Sequence, residues 1–67
     1  MQLNDEPQVS PLTHRIDRVV AITGASRTRI YDALRSGELE AVKFGRTTLV
    51  LDSSLRRWLE RLPRYAA

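Results

Sequence analysis

The sequence predicts a mainly α fold with a small β-hairpin, in the order helix, helix, two-stranded hairpin, helix. Three observations carry that expectation. Apolar residues recur at helical spacing on both sides of Gly24. A period-two pattern takes over after Gly37, and helical spacing returns from Leu55 to Leu62 before Pro63.

Residues 1–12 contain two prolines and no apolar periodicity, and are expected to form a flexible leader. Residues 13–63 are then the folded domain and 64–67 a short tail. The first helix is expected to start near Arg15, with Thr13 or His14 as its cap. Ile16, Val19, Val20 and Thr23 fall at i, i+3, i+4 and i+7, one face of that helix. Three of residues 19–22 are β-branched, which makes a strand the competing reading. The stop at Gly24 and the start at Ser26 favour the helix.

Ser26 is a good N-cap, and Gly24 suits a turn position of positive φ. The second helix should run from about Arg27 to Ser36 and end at Gly37. Ile30, Ala33 and Leu34 cluster inward on it. Thr28, Asp32 and Arg35 point the other way, with Arg29 and Tyr31 on the flanks. Ala33 is small, as two closely crossing helices require. Next, Leu39, Ala41 and Lys43 alternate with Glu40 and Val42, and Phe44-Gly45-Arg46-Thr47 reads as a turn. Residues 48–51 form the returning strand, with Gly45 and Arg46 at the tip. Asp52 or Ser53 is expected to cap a last helix whose apolar face is Leu55, Trp58, Leu59 and Leu62. The expected core is Ile16, Ile30, Leu34, Leu39, Val42, Leu49, Leu55 and Trp58, with the indole N–H bonded to a backbone carbonyl. Phe44 either packs under the hairpin or sits exposed. This is a winged helix-turn-helix in miniature: helix, recognition helix, two-stranded wing and C-terminal helix.

Composition narrows the function. The 67 residues make one domain, with no cysteine and one histidine, His14, so a Cys/His zinc site is excluded. His14 is expected to be a leader or cap residue. Eleven basic residues, ten of them Arg, face eight acids, for a net charge of +3. Arginine can fork onto phosphates and guanine edges, which suits a polyanionic partner. No apolar run approaches the roughly 18 residues of a membrane span, and no signal segment opens the chain, so a cytoplasmic location is expected. The carboxylates at 17, 32, 38, 40, 52 and 60 form no acid–base pair that the expected elements bring together. Neither catalysis, metal nor cofactor is expected.

Two helices joined by a tight glycine turn, the second polar and basic outside, form the arrangement that lays a helix in the DNA major groove. Several segments carry a closer resemblance: the Gly24-Ala25-Ser26-Arg27 turn, the Ile30-Tyr31 pair and Arg35-Ser36-Gly37-Glu38-Leu39. Ala41-Val42 leading into Phe44-Gly45-Arg46, and Leu55 with Trp58-Leu59, complete it. In their order and spacing, over about residues 14–62, they resemble the excisionase-like, MerR-type winged-helix modules of phage and mobile-element excisionases and AlpA-like regulators. Val20 departs from the family's usual alanine and Thr23 from its usual leucine. The resemblance implies a double-stranded DNA binder, bacterial or phage-encoded and nucleoid-associated. It implies that several copies bind adjacent sites, bend attachment-site DNA and help an integrase or other recombinase excise a mobile element.

On that reading Ser26, Arg27, Thr28, Arg29, Tyr31, Asp32 and Arg35 form the recognition-helix contacts, and Lys43, Gly45, Arg46 and Thr47 the wing contacts. Arg29 or Arg35 would fork onto guanine, and Thr28 would meet a thymine methyl or a phosphate. Asp32 would accept from cytosine N4, orient an arginine or simply stay solvated. Ser26 caps the helix, whose first-turn amides suit a phosphate. Arg56, Arg57, Arg61 and Arg64 make either a solvated face or a backbone contact. Two alternatives stand beside the excisionase: a small AlpA-like transcriptional regulator, and a protein–protein interaction module whose basic face meets an acidic partner.

Overall fold

The computed structural model describes residues 11–65. The expected leader therefore lies, over residues 1–10, outside the described residues, as do residues 66 and 67 of the expected tail. The chain forms β1 (Thr13–Arg15), α1 (Ile16–Thr23), α2 (Arg27–Ser36), β2 (Ala41–Phe44), β3 (Thr47–Leu51) and α3 (Asp52–Arg61). An antiparallel sheet of order β1-β3-β2 packs with the three helices, a small winged helix-turn-helix.

The third strand corrects the sequence reading at the N-terminal boundary. Thr13 and His14 do not cap α1; they pair with Leu51 and Val50 across β3, and Arg15 pairs with Leu49. Arg15 is the N-cap position of α1 and makes no side-chain cap bond. His14 is no leader residue. It is 8 % exposed, with Nε2 2.7 Å from Asp52 Oδ1. A three-residue strand is too short to leave a periodic signal, which is why only the hairpin showed in the pattern.

The turn between α1 and α2 forms as its residues dictate. Gly24 takes φ 77°, a conformation that costs a residue with a Cβ, and its N–H reaches Val20 O at 2.9 Å. Thr23 Oγ1 donates to Val19 O at 2.6 Å and accepts from Ala25 N at 3.2 Å, bracing the same corner. Ser26 Oγ accepts the Arg29 amide at 3.1 Å, the expected N-cap. The α2 helix ends at Gly37, and Leu39 N then returns to Ala33 O at 3.1 Å.

In the wing, Phe44 pairs with Thr47 across Gly45 and Arg46. Gly45 has φ 63° while Arg46 keeps an ordinary φ, the pattern of a II′ turn with glycine first. Such a turn follows the strands' own twist, so the two-residue tip is short and stiff.

The α3 helix starts differently from expectation. Its N-cap position is Leu51, with no side-chain cap bond, so neither Asp52 nor Ser53 caps it. Asp52 sits in the first turn and spends its carboxylate on His14 and on Arg56, whose Nε lies 2.8 Å from Oδ2. Buried Ser54 instead accepts the Glu40 amide at 2.9 Å, tying α3 to the entry of β2.

The core comprises Ile16, Val19, Ile30, Ala33, Leu39, Val50, Leu55 and Trp58. Leu34 packs against it half-buried, and Leu49 is half-buried. Val42 is the misplaced member: it is 45 % exposed. Ala41 faces inward opposite Val50, and strand alternation then turns Val42 and its partner Leu49 to the other face. Val50, fully buried, takes the central position.

Candidate nucleic-acid interface

The expected recognition face is built from one side of α2 and the tip of the wing. Ile30 and Ala33 are fully buried, which fixes the rotation of α2 about its axis. Ser26, Arg27, Thr28, Arg29, Tyr31, Asp32 and Arg35 are consequently all exposed. On the wing, Lys43, Gly45 and Arg46 are exposed and Thr47 is half-exposed.

The cations on α2 are held differently from one another. Arg27 pairs with Asp17 on α1, and Arg35 pairs with Asp32 one turn back. Arg29 leans toward α3: its guanidinium lies 5.5 Å from the Trp58 ring centroid and 3.8 Å from Glu38 Oε1. A delocalised cation over an indole face is attracted by the ring quadrupole. Arg29 thus spans two helices, whereas Arg35 remains on the outer face of α2. Lys43 Nζ donates to Thr48 Oγ1 at 3.1 Å and reaches Arg46 O at 3.4 Å, bracing the turn. Arg46 makes no ion pair among the described residues.

Glu38 is the residue that sequence reasoning missed. Its Oε1 accepts the Trp58 indole N–H at 3.0 Å, in place of the backbone carbonyl expected there, and Oε2 accepts the Ser36 hydroxyl at 3.1 Å. Arg61 reaches the Glu38 carbonyl at 3.4 Å. The end of α2 is thereby tied to α3 through one carboxylate. A buried indole needs an acceptor, and that requirement was the available signal.

Two carboxylates titrate below their ordinary range. The Trp58 indole N–H, followed by the Ser36 hydroxyl, holds Glu38 down. Arg56, followed by His14, holds Asp52 down. Such groups favour the fold when ionised, so their contribution is present above the unfolded carboxylate range of about 4 and is lost as pH falls through the depressed folded values. Melting temperature is therefore expected to be flat on the neutral side of that range and to fall below it. Glu38→Gln keeps an acceptor for the indole but no charge, so its acid limb should be shallower in circular-dichroism melts. An acid limb identical to wild type would remove Glu38 from the ionisation-linked set.

A family model described as Helix-turn-helix domain matches residues 15–63. The chain belongs to that helix-turn-helix family. The family model covers excisionase- and AlpA-like proteins, and no curated protein or solved structure gives a significant match to the chain. A helix-turn-helix domain supports DNA as the partner. The matched range takes in the α1–α2 turn, the wing and α3, every element that places the exposed side chains above. No helix among the described residues of this helix-turn-helix protein is long and apolar enough to cross a membrane.

Proposed function

We propose that the chain is a sequence-specific double-stranded DNA-binding protein of the excisionase type. It decorates and bends attachment-site DNA so that an integrase can excise a mobile element in a bacterial or phage setting. The observation that carries the DNA-binding reading is the exposed outer face of α2, where Thr28, Asp32 and Arg35 stand free of protein cover. That helix is long enough, at ten residues, to lie along a major groove with its first turn near the bases. The amides of Arg27 and Thr28 at the Ser26-capped end suit a phosphate. Arg46 at the wing tip suits a second phosphate or the minor groove.

A single winged-helix module argues for assembly on DNA. A single module with about five or six phosphate contacts has a log–log salt slope of roughly −5 and binds weakly at physiological salt. Adjacent copies, or a recombinase partner, would supply the missing affinity through effective concentration. An AlpA-like regulator would present the same surface to a promoter.

Selection from a random duplex pool, followed by sequencing and footprinting, tests the proposal. Clustered direct repeats beside an attachment site support the excisionase, and a single promoter site favours the regulator. A protein that shifts no duplex even at low salt would fit the protein-interaction alternative. Within the site, Arg46→Ala is expected to weaken selected and random duplexes about equally and to flatten the salt slope by about one unit. An unchanged slope would remove the wing tip from the phosphate contacts.

A further inference from the structure

We propose that Phe44 is a minor-groove wedge: its ring enters a base step, unstacks it and bends the duplex that the wing holds. This rests on the DNA-binding reading above and names the side chain that would produce the bend. Phe44 is 76 % exposed, although it sits within a paired strand one residue from the turn. Proteins that kink DNA from the minor groove commonly insert an apolar wedge such as Phe while Arg or Lys bind the same groove, and a wedge that is to unstack bases must itself be held firmly.

The wing supplies both. Phe44 forms the last pair of the hairpin with Thr47, and the stiff glycine turn closes immediately beyond it. Behind it, the ladder to β3 runs unbroken from Phe44 back to Ala41, and β1 adds a third strand to β3 from Leu49 onward, so the base of the hairpin is anchored in a sheet. On the opposite face Lys43 braces the tip through the Arg46 carbonyl and the Thr48 hydroxyl. The ring is therefore presented by a supported tip.

Charge and exposure select the partner. Cross-strand partners share a face, so Phe44 lies on one face with Thr47, Val42, Leu49 and Arg15. None of these is acidic. Exposure rises along this row toward the tip, from half-buried Leu49 through Val42 to Phe44. Arg46, in the turn two residues after Phe44, is exposed and makes no ion pair among the described residues. An apolar point two residues from the turn cation Arg46, with Arg15 farther along the same face, matches a groove walled by phosphates. A second copy of this chain meeting it through the same face would bring its own Arg15 and Arg46 against these two.

The test uses the full chain and a duplex chosen by it from the random pool. The duplex is end-labelled with a donor–acceptor pair and carries 2-aminopurine at its pyrimidine–purine steps, the easiest to kink. Wild type is expected to shorten the end-to-end distance by a bend in the range of roughly 20–90° and to brighten one 2-aminopurine. Phe44→Ala removes an exposed ring and leaves the core intact. It should still shift the duplex but lose most of the bend and all of the brightening. Phe44→Leu keeps an apolar wedge and should restore most of both. A Phe44→Ala protein that bends as wild type does overturns the wedge. So does one that bends normally but has lost self-association by sedimentation, which would assign the ring to a protein contact. A wild-type protein that shifts no duplex overturns the DNA-binding reading itself, an outcome distinct from binding without bending.

Discussion

Replacing Trp58 with alanine is expected to leave the chain largely unfolded at room temperature. Trp58 is the single tryptophan, and it is 2 % exposed in a core of eight buried apolar residues among those described. Truncating a buried aromatic costs about 3–5 kcal/mol, from lost transfer energy and the cavity left behind. A chain of 67 residues has a total stability of roughly 3–10 kcal/mol on the usual per-residue scale. The loss is therefore of the same order as the whole. Trp58 also carries the tie to Glu38 and the stack under Arg29, so α3 and the end of α2 lose their shared anchor. Trp58→Phe separates the two effects. It keeps most of the ring volume and drops the N–H, and should cost about 1 kcal/mol, the net value of one hydrogen bond, plus the smaller ring's packing deficit. Urea titrations followed by far-ultraviolet circular dichroism read both variants. A Trp58→Ala midpoint equal to that of wild type would show that α3 is peripheral to the cooperative unit.

The parts of this fold that sequence made legible are those in which a local rule and a tertiary requirement coincide. The α2 helix is the clearest case. Ser26 caps it, Gly37 ends it, and Ile30 and Ala33 share its inner face, so its boundaries and rotation followed from neighbours within one turn. The candidate recognition face inherits that legibility, because the exposed side is the complement of the buried one. What stayed hidden depends on residues far apart in the chain. His14 gave no local sign of a strand, since its extended conformation is stabilised by Val50 and its ring by Asp52, 38 positions away. Asp52 sits where a cap belongs, but the carboxylate is satisfied by His14 and Arg56, and the capping pattern misread it. Val42 and Val50 are chemically alike, and only the strand register separates the exposed one from the buried one. Glu38 follows a glycine that ends a helix, a place where a solvated acid is ordinary. The fold of α3 back across it supplies the indole that gives the carboxylate its role.

On the outer face of α2, Arg35→Ala is expected to cost roughly 1–3 kcal/mol on the selected duplex, concentrated at one base pair, with a much smaller loss on random sequence. Asp32 makes the prediction sharper. Its carboxylate pairs with Arg35 one turn on, both side chains being more than half exposed. Such a pair contributes only about 0–1 kcal/mol to folding, so removing it tests binding and not stability. A bare carboxylate next to phosphates is repelled, a cost that aiming Arg35 or accepting from a base would offset. If it aims Arg35, Asp32→Asn should weaken the selected duplex, strengthen random duplex slightly, and add nothing further in the Arg35→Ala background. If it accepts from cytosine N4, Asp32→Asn should move the preferred base at that position toward adenine, whose N6 and N7 an asparagine amide matches together. Competition binding with the single and double variants distinguishes these two roles. Selected-duplex affinity unchanged in all three variants would mean that this side of α2 does not face the bases, and the groove would have to be read by another element.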